Sequence, residues 1–124
     1  MNEDFVSFEL ANKLKEKGFR QKVNAYYGKW ENLFDVHPAL DMNDCDYRAS
    51  APTISQVLKW LREEKKINVN MRLLVENGWY FSIQDYMGVQ RYSILQDAKD
   101  TDDLYSSYEE AAIAGITYCL DNLI

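Results

Sequence analysis

Cysteine is scarce in this sequence. Cys45 and Cys119 are the only two, too few for a disulfide framework, and a domain of this length builds a core without one. Both are read as reduced thiols. Histidine is scarcer still, and His37 alone leaves a single imidazole as a base for any nucleophile. Long apolar runs are lacking; the longest are a few residues, far below the ~20 that cross a bilayer. No membrane association is expected. The opening Met1-Asn2-Glu3-Asp4 carries two acids where an export signal carries Lys or Arg, and no apolar stretch follows; the reading is a cytoplasmic protein. Positive charge is in deficit, with 14 Lys plus Arg against 20 Asp plus Glu and a net charge of −6. Such a field repels phosphate backbones, so nucleic acid is disfavoured as a partner. The motifs G-x-S-x-G, Walker A, G-x-G-x-x-G, H-E-x-x-H and C-x-x-C are all absent. Their chemistries are excluded at the level of motifs, and no cofactor is expected.

What is present is an ordinary balance for one soluble domain: 47% hydrophobic and 27% charged residues over 124 positions. At this length folding buries roughly two-thirds of the unfolded chain's surface. Ser7 is a good N-cap, Leu10, Ala11 and Leu14 follow at helical spacing, and Gly18 supplies a stop, which predicts a helix over 8–17. Lys13, Lys15, Lys17, Arg20 and Lys22 make its end locally basic, read as a solvated helix end that complements the dipole. Residues 23–30 are β-branched and aromatic and predict a strand, with Gly28 as a bend near its end. From Glu31 to Ala51 periodicity fades into an acidic stretch without Lys or Arg before Arg48, read as a long loop. Thr53 and Gln56 form a capping box before Ile54, Val57, Leu58 and Leu61, predicting a helix over 54–66 with Trp60 at the edge of its stripe.

Two period-two runs flank Asn77-Gly78, which is a strong hairpin signal, and a third strand is expected at 89–95. Residues 96–107 carry Asp97, Asp100, Asp102 and Asp103 and read as a solvated loop. Ser107 and Glu110 then open a last helix, in which Ala111, Ala112 and Gly115 let the axis approach a sheet closely. The expected fold is α+β: a single domain over 1–124, with an antiparallel sheet of about four strands, helices packed on one face, and the order α-β-α-β-β-β-α.

Few residues form a constellation. Asp41-Met42-Asn43-Asp44-Cys45-Asp46 starts like a calcium loop but places Cys45, Asp46 and Pro52 where the oxygen ligand of position five, the glycine of position six and the carboxylate of position twelve belong. It reads as an acidic surface loop, and no metal site is expected. Cys45, His37 and a nearby aspartate are the single nucleophile–base–orienter set on offer, and no glycine-rich or helix-start context activates the thiol. Cys119 falls on an apolar helix face and reads as a buried small hydrophobe. Glu63-Glu64 and Glu109-Glu110 are adjacent helix positions that point apart, so neither pair shares a proton. Aromatic content stands out, with nine tyrosines, three tryptophans and five phenylalanines. Tyr26, Tyr80, Tyr86 and Tyr92, on the open side of the sheet, and the loop acids Asp41, Asp44 and Asp46 are the candidate interaction surface.

The strings Ala51-Pro52-Thr53, Val57-Leu58-Lys59-Trp60-Leu61-Arg62-Glu63, Trp79-Tyr80 and Tyr108-Glu109-Glu110-Ala111 resemble a group of small uncharacterised proteins of gut Bacteroidetes, often prophage-associated. The resemblance spans most of 5–124 and implies a bacterial cytoplasmic or phage-borne setting; it brings no activity and no site residue. Three functional readings follow. The first is a non-enzymatic interaction module of a phage or mobile element, meeting a protein partner or forming a homodimer through the aromatic sheet face or the acidic loop. The second is a small enzyme using His37, Cys45 and loop aspartates. The third is an acidic mimic of nucleic acid, which requires the aspartates of 35–46 and 97–103 to line one surface.

Overall fold

The computed structural model describes residues 5–76, 78–85, 90–93 and 104–124. Its contacts divide the chain into two compact units, Met1–Ile54 and Ser55–Ile124. Together the described residues are α+β, with three helices and two antiparallel sheets of three strands each.

In the first unit Ser7 lies in extended backbone and its hydroxyl accepts from the Leu10 amide at 3.2 Å, satisfying one orphan donor at the start of α1 (Phe8–Glu16). Leu10, Ala11 and Leu14 are the buried face of that helix, and Gly18, at φ 87°, takes the left-handed turn that ends it. Strand β1 (Val23–Tyr27) turns Val23 and Ala25 inward and is central in its sheet, between β2 (Leu33–Leu40) and β3 (Ala49–Ser50). Val6, Leu14, Phe19, Val23 and Ala25 are all at most 2% exposed. Each large side chain so buried contributes roughly 1.5–3 kcal/mol before entropy is counted.

Two expectations are corrected here. Strand β1 ends at Tyr27, short of residue 30, because Gly28–Asn32 form a turn: the Glu31 amide donates to the Gly28 carbonyl at 3.1 Å and Glu31 sits at φ 65°. The stretch 31–51 is not a long loop, since Leu33–Leu40 is the second strand of a hairpin. Its periodicity is lost because the register slips. Val23 pairs with Leu40 and Ala25 with Asp35, so Val36–Ala39 oppose Asn24 alone. The Asn24 amide donates to the bulged Val36 carbonyl at 3.2 Å. Pro38, which has no N–H to offer a ladder, lies in that bulge on an edge strand after a cis peptide bond.

In the second unit α2 (Ile54–Glu64) buries Val57, Leu58 and Leu61 as its stripe requires, and Trp60 is buried too, with the Lys65 ammonium 5.4 Å from its ring centre. Strands β4 (Ile67–Val75) and β5 (Gly78–Asp85) form the expected hairpin, with Asn68 opposite Gln84 and Met71 opposite Phe81. Val75 pairs with Gly78, so the connection is two residues long; Asn77 itself lies outside the described residues. Strand β6 (Gln90–Ser93) pairs with β5. One face of the β4–β5 hairpin, carrying Val69 and Phe81, receives α3 (Tyr108–Asn122), whose Gly115 lies so close that a Cβ there would stand 2.6 Å from Val69 Cγ1. Cys119, on the same helix face, is fully buried.

Among the described residues the single sheet of about four strands is therefore replaced by two sheets of three, in the order α-β-β-β-α-β-β-β-α. The added strands are β2 and β3. Before α3 the chain is also more ordered than a solvated loop, because Tyr105 and Trp79 exchange both backbone hydrogen bonds at 2.8 Å. The expected loop at 96–103 lies outside the described residues.

Candidate functional site

An open cleft of about 530 Å³ lies in the first unit, between the start of α1, the end of β1 and the segment 46–49. Its floor follows from two neighbouring elements. Phe8 opens α1 and Tyr27 closes β1, and their rings meet edge to face at 5.6 Å and 84°. The Tyr27 hydroxyl donates to the Val6 carbonyl at 2.7 Å, and burial pushes its pKa above the ordinary 10.0, so the phenol remains a fixed neutral donor.

The opposite wall is the acidic segment, held in place by buried polar groups. The Asn43 amide donates to the Phe19 carbonyl at 2.7 Å and accepts from the Ser50 amide at 2.8 Å, while the Ser50 hydroxyl accepts from Met42 N at 2.9 Å. Asn43 and Ser50 are both buried, so these bonds replace water where none reaches. Cations of the basic helix end bind the same segment. Lys15 Nζ donates to the carbonyls of Cys45 and Arg48, and Arg20 pairs with Asp41 at 2.6 Å. The basic patch is thus not merely a solvated helix end; two of its members anchor the acidic chain.

Arg48 is the most constrained ion of the cleft. Its Nη2 donates to Asp44 at 2.6 Å and its guanidinium carbon lies 5.9 Å from the centre of the Tyr47 ring. The hydrogen bond from Arg48, then that from Cys45, hold the Asp44 carboxyl below its ordinary range; Asp44 in turn raises Arg48. A hydrogen bond with Cys45 raises the Tyr47 phenol. Arg48 Nε is buried and has no acceptor among the described residues. Lys29, also lining the cleft, places its ammonium 5.3 Å from the Trp30 ring centre and makes no ion pair with any described residue.

The candidate residues read from sequence separate between the two units. Tyr26, half-buried on β1, stacks on Phe34 at 5.4 Å, whereas Tyr80 is half-buried on β5 opposite Arg72. Tyr92 pairs with Ile83 on β6, and Tyr86 lies outside the described residues. Tyr26 therefore belongs to one sheet and Tyr80 and Tyr92 to the other. Asp41 and Asp44 are each neutralised by an arginine, and Asp46 lines the cleft. His37, exposed on β2, has its Nδ1 3.5 Å from Asn24 Nδ2; Cys45 Sγ bonds to Asp44 at 3.4 Å, so the two do not meet through a hydrogen bond. Among the described residues no group of three metal-ligating side chains occurs and no helix is long and apolar enough to cross a membrane.

Sequence reading missed Phe8, Tyr27, Lys29, Tyr47 and Arg48, which line the cleft, and the exposed apolar residues of the hairpin. Trp30 is 79% exposed, Leu33 44%, Phe34 43% and Leu40 48%, with Tyr47 at 65% on the following segment. The available signal was the density of large apolar residues at 30–40 with no helical or strand period to bury them. Comparison with protein-family models, curated proteins and solved structures gives no match; the geometry stands by itself.

Proposed function

We propose that this chain is a non-enzymatic protein-interaction module of a phage or mobile element, and that it meets its partner through the β1–β2 hairpin. The observation that carries the reading is the exposure of Trp30, Leu33, Phe34 and Leu40 on that one hairpin, with Tyr47 also exposed beyond it. Scattered exposed apolar residues are normal, but a dense group of large ones marks a surface meant to be covered. Tryptophan and tyrosine carry much of the energy at such surfaces because they offer large area at small entropic cost. The edge position of β2 leaves the hairpin accessible along its length, and the bulge at Val36–Ala39 blunts unspecific strand pairing. A catalytic reading has no comparable support, since His37 and Cys45 are engaged by different residues.

The test compares partner capture by the native chain with capture by a Trp30→Ala, Phe34→Ala double variant. A Leu73→Ala, Leu74→Ala variant, altered at exposed residues of the second unit, serves as control. Circular dichroism and thermal melts establish that all three fold alike. The expected result is a partner, or a second copy seen by light scattering, that the native and control proteins hold and the hairpin variant loses. Equal retention by all three would remove the hairpin from the proposal.

A further inference from the structure

We propose that the cleft of the first unit binds a small molecule made of a planar apolar ring and one anionic group, in its simplest form an aryl carboxylate. This goes beyond the docking of a partner on the hairpin and does not depend on it. The cleft's volume of about 530 Å³ is that of a small-molecule pocket, where apolar and aromatic side chains supply contact area and a few polar groups fix orientation. Its floor is the edge-to-face pair Phe8–Tyr27, and the flat side of a ring is what such a pair accommodates. Gly28 and Ala49 line the same space and keep it free of bulk.

Charge defines the rest of the ligand. Asp44 occupies Arg48 Nη2 at 2.6 Å, which orients the guanidinium, while Nη1 has no acceptor among the described residues; Nε also has none there but is buried. The uncommitted Nη1 offers an anionic group one charge-assisted hydrogen bond. Among the described residues Lys29 brings a second cation without an ion-pair partner, and Asp46 is the one acid lining the cleft. Asp44 already balances the Arg48 charge and Asp46 matches Lys29 in number, so the cleft has no surplus of positive charge for a phosphate chain, and its uncommitted N–H donors suit one small anionic group.

The experiment is a titration of the full chain, followed by amide chemical shifts, with three probes: 2-naphthoate, its neutral counterpart 2-naphthamide, and acetate. The expected result is saturable shifts at Tyr27, Tyr47 and Arg48 with 2-naphthoate. Binding should be weaker by about ten-fold or more for 2-naphthamide, the scale of one charge-assisted hydrogen bond, and acetate should give no saturation. Lys29→Gln and Arg48→Gln should each weaken 2-naphthoate by about the same factor. Lys29 is exposed, so its variant keeps the test valid if loss of Arg48 disturbs the fold. Equal binding of naphthoate and naphthamide, shifts that survive both substitutions, or no saturable shift would each overturn the proposal. None of these outcomes touches partner capture, so the two readings fail separately.

Discussion

Asn43 joins two chain segments that otherwise share no regular structure. Its side chain bonds the Phe19 carbonyl and the Ser50 amide, both within a buried environment. Asn43→Ala would strip the buried Ser50 amide of its acceptor, at about 1–3 kcal/mol, and remove the bond to the Phe19 carbonyl, at about 1 kcal/mol more. The expected outcome is a loss of about 2–4 kcal/mol in urea unfolding, with faster amide exchange across 41–50; a loss under ~0.5 kcal/mol would mean that the segment is held by Lys15 and Arg20 instead. Asp44 offers a second check through pH. Its folded pKa lies below the ordinary 3.8 because of Arg48, so its stabilising effect is present above that value and is lost as pH falls through the folded pKa. The difference in unfolding midpoint between the native chain and Asp44→Asn should be constant from neutral pH down to the ordinary carboxylate range, then vanish on further acidification. A difference that persists in strong acid would show that the Asp44 charge is not its source.

At the scale of elements, the contact of α3 with β4 and β5 rests on a missing side chain. In helix propensity alone Gly115→Ala would gain about 1 kcal/mol. Here the new Cβ would stand 2.6 Å from Val69 Cγ1 and 3.3 Å from the Phe81 ring, and valine on a strand has little rotamer freedom to withdraw. Overpacking of this kind costs about 1–3 kcal/mol, so steric cost outweighs propensity and Gly115→Ala should lower thermal stability. Combining it with Val69→Ala should recover part of the loss, a coupling that a double-mutant cycle measures. This contact was legible in the sequence, as were α1, α2 and the β4–β5 hairpin, because each has an undisturbed period and a cap or turn signal. Strand β2 was not legible, for the physical reason that its bulge breaks the alternation on which strand recognition depends. The wall of the cleft was hidden likewise, since Asn43, Lys15 and Ser50 meet through tertiary hydrogen bonds that no local pattern encodes.

Over the whole molecule the acidic surplus and the exposed hairpin oppose each other. A net charge of −6 keeps copies apart at neutral pH by mutual repulsion. Trp30, Leu33, Phe34 and Leu40 favour their approach, because burying them against any apolar surface removes area from water. Repulsion fades as pH approaches the isoelectric point of about 4.7, while apolar attraction does not. Light scattering in low salt should therefore report dispersed protein at neutral pH and growing association toward that point. The charge term is the same in the Trp30→Ala, Phe34→Ala variant, so reduced association by that variant at equal pH isolates the hairpin as the adhesive surface. Association that is unchanged in the variant would assign the attraction to other exposed residues, such as Tyr47 or Leu73 and Leu74 of the β4–β5 hairpin. The acidic mimicry reading meets the same ledger of charge: Asp41 and Asp44 are each paired with an arginine, so the segment presents less free negative charge than its sequence carries, and the hairpin's apolar surface has the stronger claim on a partner.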